Sequence, residues 1–120
     1  MSSEPVLQGK TTDIALRIIK LVETLPNSPV GKVIGHQVLR SGTSIGANYR
    51  AAARAKSRAD MLNKLKIVEE EADETFYWLD LLVKSGTVPE NRLAPLMTEV
   101  EQVIALTVAS IKTLRTNQPS

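Results

Sequence analysis

Cysteine is missing from the 120-residue chain and histidine occurs once, at position 36. No disulfide can brace the fold, and no thiolate can attack a substrate or hold a metal. A Ser-His-Asp triad, a histidine zinc site or the Glu-x-x-His pairs of a di-iron bundle would all have to rest on His36. No Glu stands three residues before it. Aromatic residues make up only 3% of the chain, so a core must be built from Leu, Ile, Val and Ala, a mixture that favours helices over a β-sandwich. Long apolar runs are absent too. The longest, such as Phe76 to Leu79, are far short of the roughly 18 residues a membrane span needs, and the expectation is no membrane contact. The opening MSSEPVLQGKTTD has no basic segment followed by an apolar one, hence no secretory signal; with no cysteine, the expected location is the cytoplasm. There is no Walker sequence and no G-x-G-x-x-G, because the glycines at 31, 35, 42 and 46 have the wrong spacing. The acidic run Glu69-Glu70-Glu71 with Asp73 and Glu74 lacks the Gly-containing loop of an EF-hand. These exclusions lead to an expectation of no enzyme activity, no cofactor and no metal.

What remains is an ordinary globular composition, 42% hydrophobic and 23% charged, at a length suited to one domain. Breakers at Leu25-Pro26-Asn27-Ser28-Pro29, near Lys56-Ser57 and at Ser85-Gly86-Thr87-Val88-Pro89 divide the chain into four segments of helix length. Short connections predict antiparallel neighbours, hence an all-α, up-down-up-down four-helix bundle over residues 11–116, with loose ends at 1–10 and 117–120. Ile14, Ile18, Leu21, Val22 and Leu25 recur at helical spacing after a candidate cap at Thr12. Ser28 with Pro29, and Ser57 with Asp60, read as helix starts; Gly86 reads as a stop. Met61, Leu65, Val68, Ala72, Phe76, Leu79 and Val83 predict the core stripe of the third segment, and Leu93, Met97, Val100, Ile104, Val108 and Ile111 that of the fourth.

The second segment is less regular. Counted from Val30, its inward positions include Ile34, Ile45 and Ala52 but also Gln37, Ser41, Ser44 and Asn48, and four glycines interrupt it. Two readings stand. Small residues admit a close neighbour while polar ones set register, or the segment holds a ligand or a kink.

Net charge is +2, yet from Lys32 to Lys66 eight cationic residues face the single acid Asp60, while Glu69 to Asp80 carries acids alone. Lys32, His36, Arg40, Arg50 and Arg54 project into one sector of the second segment and lead into Lys56 and Arg58 at the start of the third, where a helix N-terminus favours phosphate. Lys32, Arg40, Arg50, Arg54, Lys56 and Arg58 are therefore candidate RNA or DNA contacts, made through phosphates because few aromatics are available for stacking. A solvated stripe, or one paired with acids, is the bland alternative. Ile67, Glu71, Glu74, Trp78 and Leu81 share a second stripe on the third segment, a candidate homo-oligomer interface in which Glu71 or Glu74 meets Arg40, Arg50 or Arg54 of a neighbour. The alternative is a flank buried within its own bundle. HQVLRSG, residues 36–42, superficially resembles a histidine phosphotransfer site, although a basic residue and a Gly normally stand nearer the His.

RSGTSIGANYRAA, residues 40–52, and EADETFYWLDLL, residues 71–82, resemble a four-helix-bundle family associated with intervening sequences of bacterial 23S ribosomal RNA, also called ribosomal S23-type proteins. The likeness runs over roughly residues 11–115 and takes in Lys56-Ser57, Asp60, Lys64-Leu65 and Ile67. Ala51 departs from a frequent Glu and Met61 from a frequent aromatic; the lost acid leaves the basic stripe less compensated. The resemblance implies a homopentamer and a link to ribosomal RNA that comes chiefly from where family genes are found. A related bundle is an accessory partner of a reverse transcriptase in diversity-generating retroelements. The implied function is that of a ribonucleoprotein component, with a scaffold recognising another protein as the alternative; no catalytic residue carries over.

Overall fold

The computed structural model describes residues 4–117, with side chains from Leu7 onward. Four helices account for nearly all of them: α1 Glu4–Glu23, α2 Pro29–Ala53, α3 Arg58–Lys84 and α4 Glu90–Thr116, and there is no strand among the described residues. The starts of α2 and α3 follow from their caps. Ser28 Oγ accepts from Gly31 N at 3.1 Å with Pro29 in the first turn, and Ser57 Oγ accepts from Asp60 N at 3.0 Å. Asp60 Oδ2 reaches back to Lys56 N at 3.4 Å, one residue outside the usual capping box. At the end of α3, Gly86 takes φ +76°. Its N–H donates to Val83 O and that of Thr87 to Leu82 O, both at 3.0 Å, which closes the helix in a Schellman turn.

Thr12 is not a cap. The helix starts at Glu4, so residues 4–10 of the expected loose segment are helical, while residues 1–3 and 118–120 lie outside the described residues. Leu7 is fully buried and Thr11 nearly so, extending the stripe of Ile14 and Ile18 about two more turns toward the amino end. That burial anchors the first turns of α1 to the rest of the bundle.

α1 packs on α2 and α4, α2 on α3, and α3 on α4, closing a four-membered ring without diagonal contact among the described residues. A 27-residue helix is about 40 Å long. The connections 24–28, 54–57 and 85–89 span at most about 18 Å, so each helix must return antiparallel to the one before it. The result is an up-down-up-down bundle of 54 × 22 × 20 Å.

The buried face of α2 is turned relative to the count from Val30, which is itself 47% exposed. Val38, Ser41, Gly42, Ile45, Tyr49 and Ala52 point inward, while Ile34, Gln37, Ser44 and Asn48 are half-buried. The polar residues are satisfied within the chain. Ser44 Oγ donates to Arg40 O at 2.7 Å and Asn48 Nδ2 to Ser44 O at 2.9 Å; the buried hydroxyls of Ser41 and Thr75 meet at 2.9 Å, and Thr75 donates to Glu71 O at 2.8 Å. A Cβ at Gly42 would run into Ile18 Cδ1, one at Gly31 into the Pro26 carbonyl, and one at Gly35 would lie 3.1 Å from Leu25 Cδ1. The small residues thus let α1 and the first turn approach α2, as the packing reading expects, and no ligand or kink is needed.

In α3 and α4 the inward stripes also include positions one residue from those expected. Thr75 and Leu82 are buried while Phe76 and Val83 are half-buried; Leu96, Val103 and Thr107 are buried while Val108 is exposed. Each helix is flanked on two sides, and the line bisecting its neighbours sets its inward direction. α4 is long and apolar enough to cross a membrane by length and composition alone, with mean hydropathy 1.2 in its best 18-residue window, but its buried stripe packs against α1 and α3. Thr107 Oγ1 is buried with no hydrogen-bond partner among the described residues. Thr107→Val keeps the shape and removes the unsatisfied group, so thermal unfolding should show a gain of about 1 kcal/mol. An unchanged or lower midpoint would mean that the hydroxyl is satisfied in solution.

Candidate nucleic-acid and assembly surfaces

The six candidate cationic side chains are all exposed, but they do not form one surface. Lys32 and Arg54 stand at opposite ends of α2, about 33 Å apart along the axis. Between them Arg40 is drawn toward α3. Its Nη1 donates to Glu71 Oε2 at 3.4 Å, its Nη2 pairs with Glu74 Oε2, and its Nε donates to Gln37 Oε1 at 3.2 Å. Glu74 Oε2 also accepts from Trp78 Nε1 at 2.9 Å. The acids expected to meet an arginine of a neighbouring subunit therefore engage Arg40 of their own chain, because α2 and α3 are adjacent and antiparallel and bring residue 40 level with 71–74. Exposed ion pairs of this kind contribute at most about 1 kcal/mol, so the clasp sets register more than stability.

Arg54, Lys56 and Arg58 flank the α2–α3 turn, and Arg50, one turn before it, lines the α1–α2 seam with Thr11 and Thr12. Arg50, Arg54 and Lys56 have no ion-pair partner for their side chains among the described residues. Arg58 Nη1 donates to Leu114 O at 3.0 Å and so joins the start of α3 to the last turns of α4. That contact brings Lys112 and Arg115 to the same end of the bundle, where both line a groove at the α3–α4 seam with Glu69 and Ile111. Sequence reading missed both. The available signal was the topology: an up-down bundle sets the end of its fourth helix beside the start of its third.

Ile67, Glu71, Glu74, Trp78 and Leu81 are all half-buried, on the flank of α3 that meets α2. Trp78 packs at the edge of the core and meets Tyr77 edge-on, ring centroids 5.0 Å apart at 66°. Ile67 and Leu81 are not among the partly buried residues packed against the core. Val30, Val33 and Tyr77 are exposed apolar or aromatic side chains at the same half of the molecule as Leu81.

His36 is exposed, Arg40 is held by Glu71 and Glu74, and Gly42 faces Ile18 across the α1 contact. Residues 36–42 thus do not gather a basic group and a glycine around the imidazole. Among the described residues no group of His, Asp or Glu is arranged to hold a metal ion. The hydrogen bond from Lys84 to Asp80 at 2.8 Å, and then the charge of that carboxylate, raise the Lys84 ammonium above the usual lysine pKa; this is a surface pair one turn apart.

Residues 6–109 match the family described as 23S rRNA-intervening sequence protein. A crystal structure from Bacteroides thetaiotaomicron, of a protein with unknown function from the S23 ribosomal protein family, is similar at 39% identity and a TM-score of 0.86, covering 92% of this chain and 98% of that one. No curated protein matches. With motifs, helices and match all extending over most of its length, the chain belongs to the 23S rRNA-intervening sequence protein family.

Proposed function

We propose that this protein is a non-enzymatic, homo-oligomeric RNA-associated bundle of the cytoplasm, with no membrane contact, which holds phosphates at its α2–α3 turn. The observation that carries the reading is the clustering of Arg54, Lys56 and Arg58 at the α2–α3 turn, with Arg50 one turn earlier, while the Asp60 carboxylate accepts from Lys56 N. The family description, which refers to an intervening sequence of 23S rRNA, supports RNA as the polyanion. Purified protein titrated with a structured ribosomal RNA fragment should bind with log K falling linearly against log salt. A salt-independent affinity, or no binding at about 50 mM salt, would refute it.

The assembly part of the proposal rests on the half-buried apolar residues Ile67 and Leu81, the latter in the same half of the molecule as exposed Val33 and Tyr77. A pentamer is the arrangement the family resemblance implies. Because Glu74 serves the internal clasp, Ile67→Glu with Leu81→Glu is the cleaner probe than a change at Glu74. Sedimentation should show a shift to smaller species with helicity retained; an undiminished assembly would place the interface elsewhere. The same surface supports a second reading, a scaffold that recognises another protein without RNA. Recovery of the native complex from cells, followed by identification of both RNA and protein, separates the two.

A further inference from the structure

We infer that the RNA-binding surface is the end of the bundle, completed by Lys112 and Arg115 of α4, and that its ligand is the phosphate backbone of double-helical RNA. This rests on the RNA-associated reading above and extends it to residues and a ligand class.

Three structural features lead there. The Arg58 guanidinium on the Leu114 carbonyl fixes the carboxyl end of α4 against the amino end of α3. Lys112 and Arg115 are exposed next to that contact, and neither has an ion-pair partner among the described residues. They join Arg50, Arg54 and Lys56 at one pole, while Lys32 lies at the other pole and Arg40 is occupied by Glu71 and Glu74. The cationic surface is therefore terminal, and it runs from Arg50 at the α1–α2 seam across the end of the bundle to Lys112 and Arg115 at the α3–α4 seam. The exposed carbonyl end of α4 would repel phosphate, and Arg58, Lys112 and Arg115 offset that partial negative charge where α3 begins.

Stacking groups are absent from this pole among the described residues. Tyr49 is buried, and Tyr77 and Trp78 lie about 25 Å along α3 from its first turn. Unpaired RNA is held largely by stacking its bases on aromatic side chains, whereas a duplex is recognised by shape and by contacts to its phosphates and 2′-hydroxyls. A cationic end without aromatics suits the second.

The test compares an RNA hairpin with an unstructured RNA of equal length, by fluorescence anisotropy at several salt concentrations, using the full chain and the variant Lys112→Gln with Arg115→Gln. Both sites are exposed and Gln preserves helix propensity; circular dichroism checks the helix content. The hairpin should bind the unmodified protein more tightly than the unpaired strand. The double variant should lose roughly tenfold or more in hairpin affinity, and its log–log salt slope should become shallower by about 2, close to 0.9 per phosphate contact. Unchanged affinity and slope in this variant, while Arg50→Ala with Arg54→Ala and Lys56→Ala weakens binding, would overturn the terminal surface and leave RNA association standing. Equal or tighter binding of the unpaired strand would overturn the duplex assignment. Binding of neither RNA would overturn both the inference and the reading beneath it.

Discussion

Gly42→Val should destabilise the bundle by about 2 kcal/mol or more, and Ile18→Ala should cost about 3 kcal/mol by leaving a cavity, yet the two together should cost less than their sum. Ile18 is fully buried, and a Cβ at 42 would collide with its Cδ1 and lie 3.3 Å from its Cγ2. Valine adds three carbons where the α1–α2 contact has no space. Its better helix propensity than glycine recovers only a few tenths of a kcal/mol. Cutting Ile18 back to Ala removes the obstructing atoms, so the valine fills part of the volume it was previously refused. A coupling of about 1 to 2 kcal/mol is expected from a double-mutant cycle. The thermal midpoint should fall by about 4 °C per kcal/mol in a domain of this size, read at one fixed protein concentration because assembly would make it concentration-dependent. Additive losses would show that α1 and α2 do not share this contact.

Removing Arg50, Arg54 and Lys56 together should reduce affinity for structured RNA by roughly two orders of magnitude at about 100 mM salt, with the salt slope shallower by nearly 3. The three side chains are exposed and serve no side-chain ion pair among the described residues, so helicity should survive. Arg58 is left in place because Arg58→Ala would also strip the Leu114 carbonyl of its donor. That loss, about 1 kcal/mol of stability, would confuse a binding measurement with fraying of α4. Arg40→Ala supplies the control. Its charge is already engaged by Glu71 and Glu74, and its removal should change RNA affinity far less than any of the three. An Arg40 variant as defective as the triple variant would return the binding surface to the length of α2.

The segmentation of the chain was legible from residues one to five positions apart. Ser28-Pro29, Ser57 with Asp60, and Gly86 act through their own backbone and the next turn, so they specify helix boundaries wherever the helices go. Thr12 misled because a capping residue also fits within a helix, and the burial of Leu7 that carries α1 past it is a long-range effect. The antiparallel order was equally accessible, since connections of a few residues allow nothing else.

What a linear reading could not supply was direction and company. The direction each helix turns inward depends on where its two neighbours stand. Hence Val38, Tyr49, Thr75 and Leu96 are buried, whereas Val30 and Val108 remain exposed. Charge along α2 counted Arg40 with the free cations; only the packing of α2 on α3 sets Glu71 and Glu74 against it. Lys112 and Arg115, more than fifty residues from Lys56, reached the basic end only when α4 lay antiparallel beside α3. Local signals in the sequence specify four helices and the starts of α2 and α3, and the chain offers no cysteine and one histidine for a reaction centre. Tertiary structure decided which charges are spent on one another and which face outward, because Coulomb attraction falls with distance through space and takes no account of distance along the chain.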